Sequence, residues 1–151
     1  MAGMTVEPVD GPDRRAAAPL ELALDRVGDR WSLLVVEALL DGPLRFGELS
    51  ATVGGIATNI LSDRLRRLER AGIVNATPYQ ERPTRVQYAL TADGSELGGA
   101  LRLLADWGAR HESDAETLRH EPCGTPLEAR WYCPTCARSI DDDESASLRS
   151  V

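Results

Sequence analysis

Lysine is absent from this chain: all 17 basic residues are arginine. Aromatic residues are sparse at 5%, with a single phenylalanine, Phe46. There are three cysteines and two histidines, and no apolar run approaches the ~20 residues that span a bilayer. The longest, Leu33 to Val36, ends at Glu37. Residues 1–18 are polar, carry Pro8, Asp10, Pro12 and Asp13, and lack the apolar stretch of a signal peptide. These absences predict a cytoplasmic protein with no membrane partner. No histidine is paired with a nucleophile, no glycine-rich phosphate loop occurs, and no carboxylate pair stands out. Gly54-Gly55 and Gly98-Gly99 are too sparse for a nucleotide cradle. The expectation is a protein that is not an enzyme.

What is present is a charge asymmetry. The chain of 151 residues carries a net −7. Between Leu44 and Leu90, seven arginines face four carboxylates, so that stretch is +3 and the remainder −10. Screening at physiological salt acts beyond roughly 8 Å, so a contacting partner feels the local charge. Arginine also matches phosphate and guanine edges with two parallel hydrogen bonds.

The apolar spacing divides the chain. Leu20, Leu22, Leu24 and Val27 open a pattern that stops at Gly28. Trp31, Leu34, Val35, Ala38 and Leu39 give helical spacing, closed by Asp41-Gly42-Pro43. Arg45 to Val53 reads as a short third helix, and Gly54-Gly55 as a sharp connection. A fourth helix is predicted over 57–71 with Thr58 as N-cap, an inner face of Leu61, Leu65 and Leu68, and Gly72 as its stop. The period then changes. Ile73 to Tyr79 and Val86 to Leu90 read as paired strands around a loop, Gln80 to Arg85. Thr91 caps a last helix bearing Leu97, Ala100, Leu101, Leu104 and Trp107. Trp31, Phe46 and Trp107 are expected in the core. The predicted domains are a disordered arm (1–18), a helical DNA-binding domain (19–112), a Cys-rich segment (113–140) and an acidic disordered tail (141–151).

This order, helices and then a β-hairpin and a further helix, is a winged helix-turn-helix: mainly α with a small β-hairpin. A major groove admits one α-helix, held at its angle by the helix before it. The inserted helix is 57–71. The candidate DNA contacts are Arg45, Thr58, Asn59, Ser62, Asp63, Arg66 and Arg67, with Arg82 and Arg85 on the wing. A merely solvated arginine face competes with this reading; Arg70 lies late in the helix, and Glu69 can pair with Arg66. A protein-interaction module on a degenerate winged helix is the rival from another class. A steep loss of binding with salt separates DNA from that rival.

Residues 19–110 resemble the HxlR-type family of bacterial winged-helix regulators. The matching phrases are LDRVGDRWSLL (24–34), LDGPLRFGEL (40–49), ILSDRLRRLERAGIV (60–74), RPTRVQYALT (82–91) and Trp107-Gly108. The resemblance implies a homodimer built by the first and last helices of the domain. It also implies binding to a palindromic operator and control, as a repressor, of a neighbouring gene. Many members place a cysteine just before the first helix, in some a redox or electrophile sensor. Here that position is Ala18, so a thiol switch is absent from that site. No residue pattern specifies a small-molecule effector.

All three cysteines lie between 123 and 136 and, with His120, give His-x2-Cys-x9-Cys-x2-Cys. A two-residue gap puts two ligands on one tight turn, and two such turns supply four ligands for tetrahedral zinc. His120, Cys123, Cys133 and Cys136 are therefore the candidate metal ligands, with Leu127 to Tyr132 as a strand between them in a zinc-ribbon-like tail. A full ligand set predicts a structural metal. A Cys133–Cys136 redox dithiol, unconnected thiols, a zinc- or redox-responsive sensor, and His111 or Glu121 as fourth ligand stay open.

Overall fold

The computed structural model describes residues 18–112 and 117–141, with Glu144 and Leu148. The predicted disordered arm, except Ala18, and most of the predicted acidic tail lie outside the described residues.

Five helices and a small sheet form the domain. The first helices are α1 (Pro19–Val27) and α2 (Arg30–Ala38), joined through Gly28. Asp29 begins α2 because its carboxylate accepts from the backbone N–H groups of Trp31 and Ser32, both at 3.1 Å, which would otherwise lack partners. After the 41–43 turn come β1 (Leu44–Arg45), α3 (Phe46–Val53) and α4 (Thr58–Arg70). The hairpin strands are β2 (Val74–Glu81) and β3 (Thr84–Leu90), followed by α5 (Ala92–Ala109). The sheet is antiparallel with order β1-β3-β2. Among the described residues, no helix is long and apolar enough to cross a membrane.

One core joins these elements. Leu61, Leu65 and Leu68 of α4 are fully buried against Val35 and Val36 of α2, Leu49 of α3 and Val74 of β2, within a cluster that includes Val27, Ile73 and Leu101. The expected inner face of α4 is thus the observed one. Polar ties fix the ends. Thr91 caps α5 as predicted, accepting from the Gly94 N–H at 3.0 Å while its hydroxyl donates to the Gly72 carbonyl at 2.6 Å. Arg26 of α1 reaches both the Ala71 carbonyl (2.8 Å) and Asp93 (2.6 Å), tying α1 to the end of α4 and the start of α5.

Four expectations are corrected. Arg45 is not the first residue of the third helix: Leu44 and Arg45 pair with Tyr88 and Gln87, and the helix starts at Phe46. Thr58 does not cap α4, because Ala57 holds the extended cap position and no side chain caps the helix; Thr58 is its first residue. The wing loop is shorter than Gln80 to Arg85, since β2 runs to Glu81 and β3 starts at Thr84, leaving Arg82 and Pro83 at the tip. Trp31 and Phe46 do pack against the core, but Trp107 is 57% exposed. It belongs to the face of α5 that carries Leu103 and Leu104, also exposed.

Beyond the domain, β4 (Trp131–Cys133) and β5 (Arg138–Ile140) form an antiparallel hairpin. Residues 118–127 form another, through the Arg119–Pro126 bridge, the His120 N–H to Thr125 carbonyl bond (2.9 Å) and the Leu127 N–H to Leu118 carbonyl bond (2.8 Å).

Candidate nucleic-acid interface

Helices α3 and α4 are joined by a turn in which Gly54 and Gly55 take φ of 59° and 69°, a backbone region that favours glycine. With its leucine face buried, α4 leaves Thr58, Asn59, Asp63 and Arg66 exposed and Ser62 half-buried. The Ser62 hydroxyl donates to the Thr58 carbonyl at 2.9 Å. Asp63 is paired with Arg64 at 3.1 Å.

The arginines of α4 differ in their partners. Arg67 is directed back into the domain, donating to the Asp25 carbonyl at 2.8 Å with Asp29 at 4.0 Å. Arg64 holds Asp29 at 3.0 Å. Arg66 lies on the exposed side of α4. Burial raises the Tyr88 phenol above its ordinary pKa, Glu69 adds to the rise, and Arg66 opposes it.

Asp29 is where α2 meets α4. Burial works to raise its pKa, but the hydrogen bonds from Ser32 and the charges of Arg64 and Arg67 outweigh this and hold the carboxyl below the ordinary value. Ser32 itself is fully buried, its hydroxyl 2.5 Å from Asp29. Sequence reading counted Arg64 only as charge, because nothing local to α4 shows that Asp29 stands opposite it.

On the wing, Arg82 and Arg85 are exposed. Gln80 donates to the Arg82 carbonyl at 3.0 Å and Thr84 to the Glu81 carbonyl at 3.2 Å, which fix the tip. The pairing shifts between Pro78 and Gln80, leaving Tyr79 bulged, and the Arg45 guanidinium lies 4.5 Å from the Tyr79 ring centroid. Tyr79 was not a sequence candidate. Only the β1 pairing, invisible in local spacing, brings Arg45 to the wing.

In the C-terminal segment the four candidate metal ligands form two pairs. His120 Nδ1 lies 3.3 Å from Cys123 Sγ. The Thr125 hydroxyl, 3.3 Å from Cys123 Sγ, and the Thr125 backbone N–H hold the Cys123 thiol below its ordinary pKa. The backbone N–H of Cys136, the Cys136 side chain and the Thr135 N–H do the same for Cys133, while the Cys133 side chain pushes Cys136 up. No disulfide forms. Among the described residues, no three His, Cys, Asp or Glu side chains gather at one point. His111 packs edge-on against Trp107 at 5.0 Å between ring centroids.

Residues 26–116 match the model of the HxlR-like helix-turn-helix family. The chain belongs to that family. An uncharacterized HTH-type transcriptional regulator of Mycobacterium tuberculosis is 38% identical over 122 residues, spanning 78% of this chain and 77% of that protein. Among solved structures, the redox regulator HypR in its oxidized form is similar, with a TM-score of 0.59 and 32% identity over 64% of this chain and 99% of that one. The reduced form of the transcriptional regulator YodB from Bacillus subtilis gives a TM-score of 0.55 and 31% identity over 67% and 100% of the two chains. Each of these proteins is named as a regulator, and the two solved structures share the fold of the matched part of this chain.

Proposed function

We propose that this HxlR-like chain is a sequence-specific DNA-binding transcriptional regulator that works as a homodimer on a palindromic operator and represses a neighbouring gene. The observation behind the reading is the placement of Arg66: exposed on a helix whose opposite face is fully buried, in a domain whose hairpin carries exposed Arg82 and Arg85. The N-terminal end of α4 enters the major groove with Thr58, Asn59, Ser62, Asp63 and Arg66 toward the bases. Arg45, Arg82 and Arg85 serve the phosphates or the minor groove. Arg67 holds α4 to α1 rather than touching DNA. The reading unit is residues 19–112, with 113–140 as an appendage.

The dimer reading rests on exposed apolar side chains. Leu20, Leu22 and Leu24 on α1 are 70%, 54% and 52% exposed. Leu103, Leu104 and Trp107 on α5 are 44%, 52% and 57% exposed. Side chains of this size gain roughly 1.5–3 kcal/mol each on full burial.

Binding of the full chain to the DNA upstream of its own gene tests the proposal, titrated at several salt concentrations beside an unrelated duplex. Tight, salt-sensitive binding that prefers the upstream DNA and weakens in Arg66→Ala and Arg85→Ala is expected. Equal, weak binding to both duplexes would remove it and favour a protein partner.

A further inference from the structure

We propose that His120, Cys123, Cys133 and Cys136 hold one structural zinc ion, bound as three thiolates and one imidazole. The site owes nothing to the DNA-reading surface, and its donors stand on two turns of one plan.

Each pair of ligands sits at the tip of a β-hairpin. His120 and Cys123 flank the tip of the 118–127 hairpin, and Cys133 and Cys136 the tip of the β4–β5 hairpin. In both, the residue after the second cysteine takes a left-handed backbone: Gly124 at φ 69° and Ala137 at φ 52°. Ala137 is the only non-glycine in that region among the described residues. At the first tip the Thr125 hydroxyl also lies 3.3 Å from Cys123 Sγ.

The distances fit. Zinc–sulfur bonds of about 2.3 Å and zinc–nitrogen bonds of about 2.0–2.1 Å set a tetrahedral N···S edge of roughly 3.6 Å. The His120 Nδ1 to Cys123 Sγ separation is 3.3 Å. Contact with Cys123 selects His120 over His111, which is engaged with Trp107. A metal with three thiolates carries a net charge of −1. Arg119 is close to the first pair, donating to the Gly124 carbonyl at 2.9 Å, while Arg138 beside the second pair is already bridged to Glu144.

The segment also needs a cross-link. Not one residue of 117–141 is buried; Leu127, Trp131 and Tyr132 are 46%, 65% and 61% exposed. Two hairpins without a core are marginal in water. The ion supplies the joint by drawing the second pair of ligands onto the first. The nine residues between Cys123 and Cys133 extend to roughly 30 Å, ample for that closure. Binding displaces one proton from each of the three thiols, so zinc affinity falls as the pH is lowered.

The test is the metal content of the full chain, expressed in zinc-supplemented medium and purified under reducing conditions without chelator. One zinc per chain is expected, falling to less than a fifth of that in Cys123→Ser and Cys133→Ser. Loading the apo chain with Co(II) should give thiolate-to-cobalt charge transfer and the strong visible bands of a tetrahedral site. The bands should shift in His120→Cys and persist in His111→Ala. Undetectable zinc with no cobalt bands would overturn the proposal. So would a Cys133–Cys136 disulfide in the reduced preparation, or full zinc retention in Cys123→Ser, which would break the four-residue set.

Discussion

Arg64 Nε of α4 lies 3.0 Å from Asp29 Oδ1, the carboxylate that caps α2. The contact is a charge pairing more than an aligned hydrogen bond, since the buried Nε–H is not aimed at the oxygen. It makes one side chain serve two helices: Asp29 caps the start of α2 and, through Arg64 and Arg67, sets where α4 lies. The angle at which the proposed reading helix is presented therefore depends on a residue outside it.

Replacing Asp29 with Ala should destabilise the domain by roughly 2–4 kcal/mol. Loss of an N-cap costs about 1 kcal/mol, and the buried Ser32 hydroxyl left without its partner adds about 1–3 kcal/mol. Denaturant midpoints measure this. Asp29→Asn adds a pH signature. The folded-state pKa is lowered, so the carboxylate's contribution is present above the unfolded value, about 3.9. It is lost as pH falls through the folded value. The stability gap between the native chain and Asp29→Asn should thus be full at neutral pH and close in acid.

Arg66 and Arg67 are adjacent and chemically identical, yet Arg67 bonds back to the Asp25 carbonyl while Arg66 is exposed, and the proposed reading gives them different work. Arg66→Ala should weaken operator binding by about 1–3 kcal/mol if it reads a base, or lower the salt slope by about 1 if it meets a phosphate. Arg67→Ala removes the bond to the Asp25 carbonyl. It should leave the salt slope unchanged and lower stability by under about 1 kcal/mol, as for other half-exposed charges. Equal loss of DNA affinity in both variants would refute the division.

Glycines on α5 offer an internal control. A Cβ at Gly94 would lie 2.2 Å from the Ile73 carbonyl oxygen, which already accepts from the Thr91 N–H. Neither backbone can yield without opening the α5 cap, so Gly94→Ala should cost about 1–3 kcal/mol. Gly99 lies in the same helix with open space around it. There Gly99→Ala should stabilise by about 0.4–1 kcal/mol by restricting the unfolded chain. Thermal denaturation of the two variants should move in opposite directions.

How much of this was legible follows the range of the interactions. Leu61, Leu65 and Leu68 declare the buried face of α4 by spacing alone, and the shift to alternating residues after Gly72 declares the hairpin. Both are local patterns with a fixed period. The β1 strand is not local: two residues become a strand only because Leu44 finds Tyr88, far along the chain. The same holds for Arg67, whose partner is a backbone carbonyl of α1, and so carries no side-chain signal. Thr58 missed its cap by one position, within the usual uncertainty of helix ends. Trp107 misled because spacing marks an apolar face without saying what covers it.

That exposed face yields the last prediction. If α1 and α5 of two copies pack together, Leu24, Leu104 and Trp107 leave water only in the dimer, and a charge placed among them meets apolar surface. Leu104→Glu with Trp107→Glu should leave the core intact, because both side chains lie outside it. Sedimentation should then show a monomer for the double variant and a dimer for the native chain, with an unchanged helical spectrum. A monomer engages one half-site, so the slope of log affinity against log salt should fall to about half. Preference for a palindrome over a single half-site should vanish with it. Retained dimerisation in the double variant would place the interface elsewhere and leave this apolar face to a different partner.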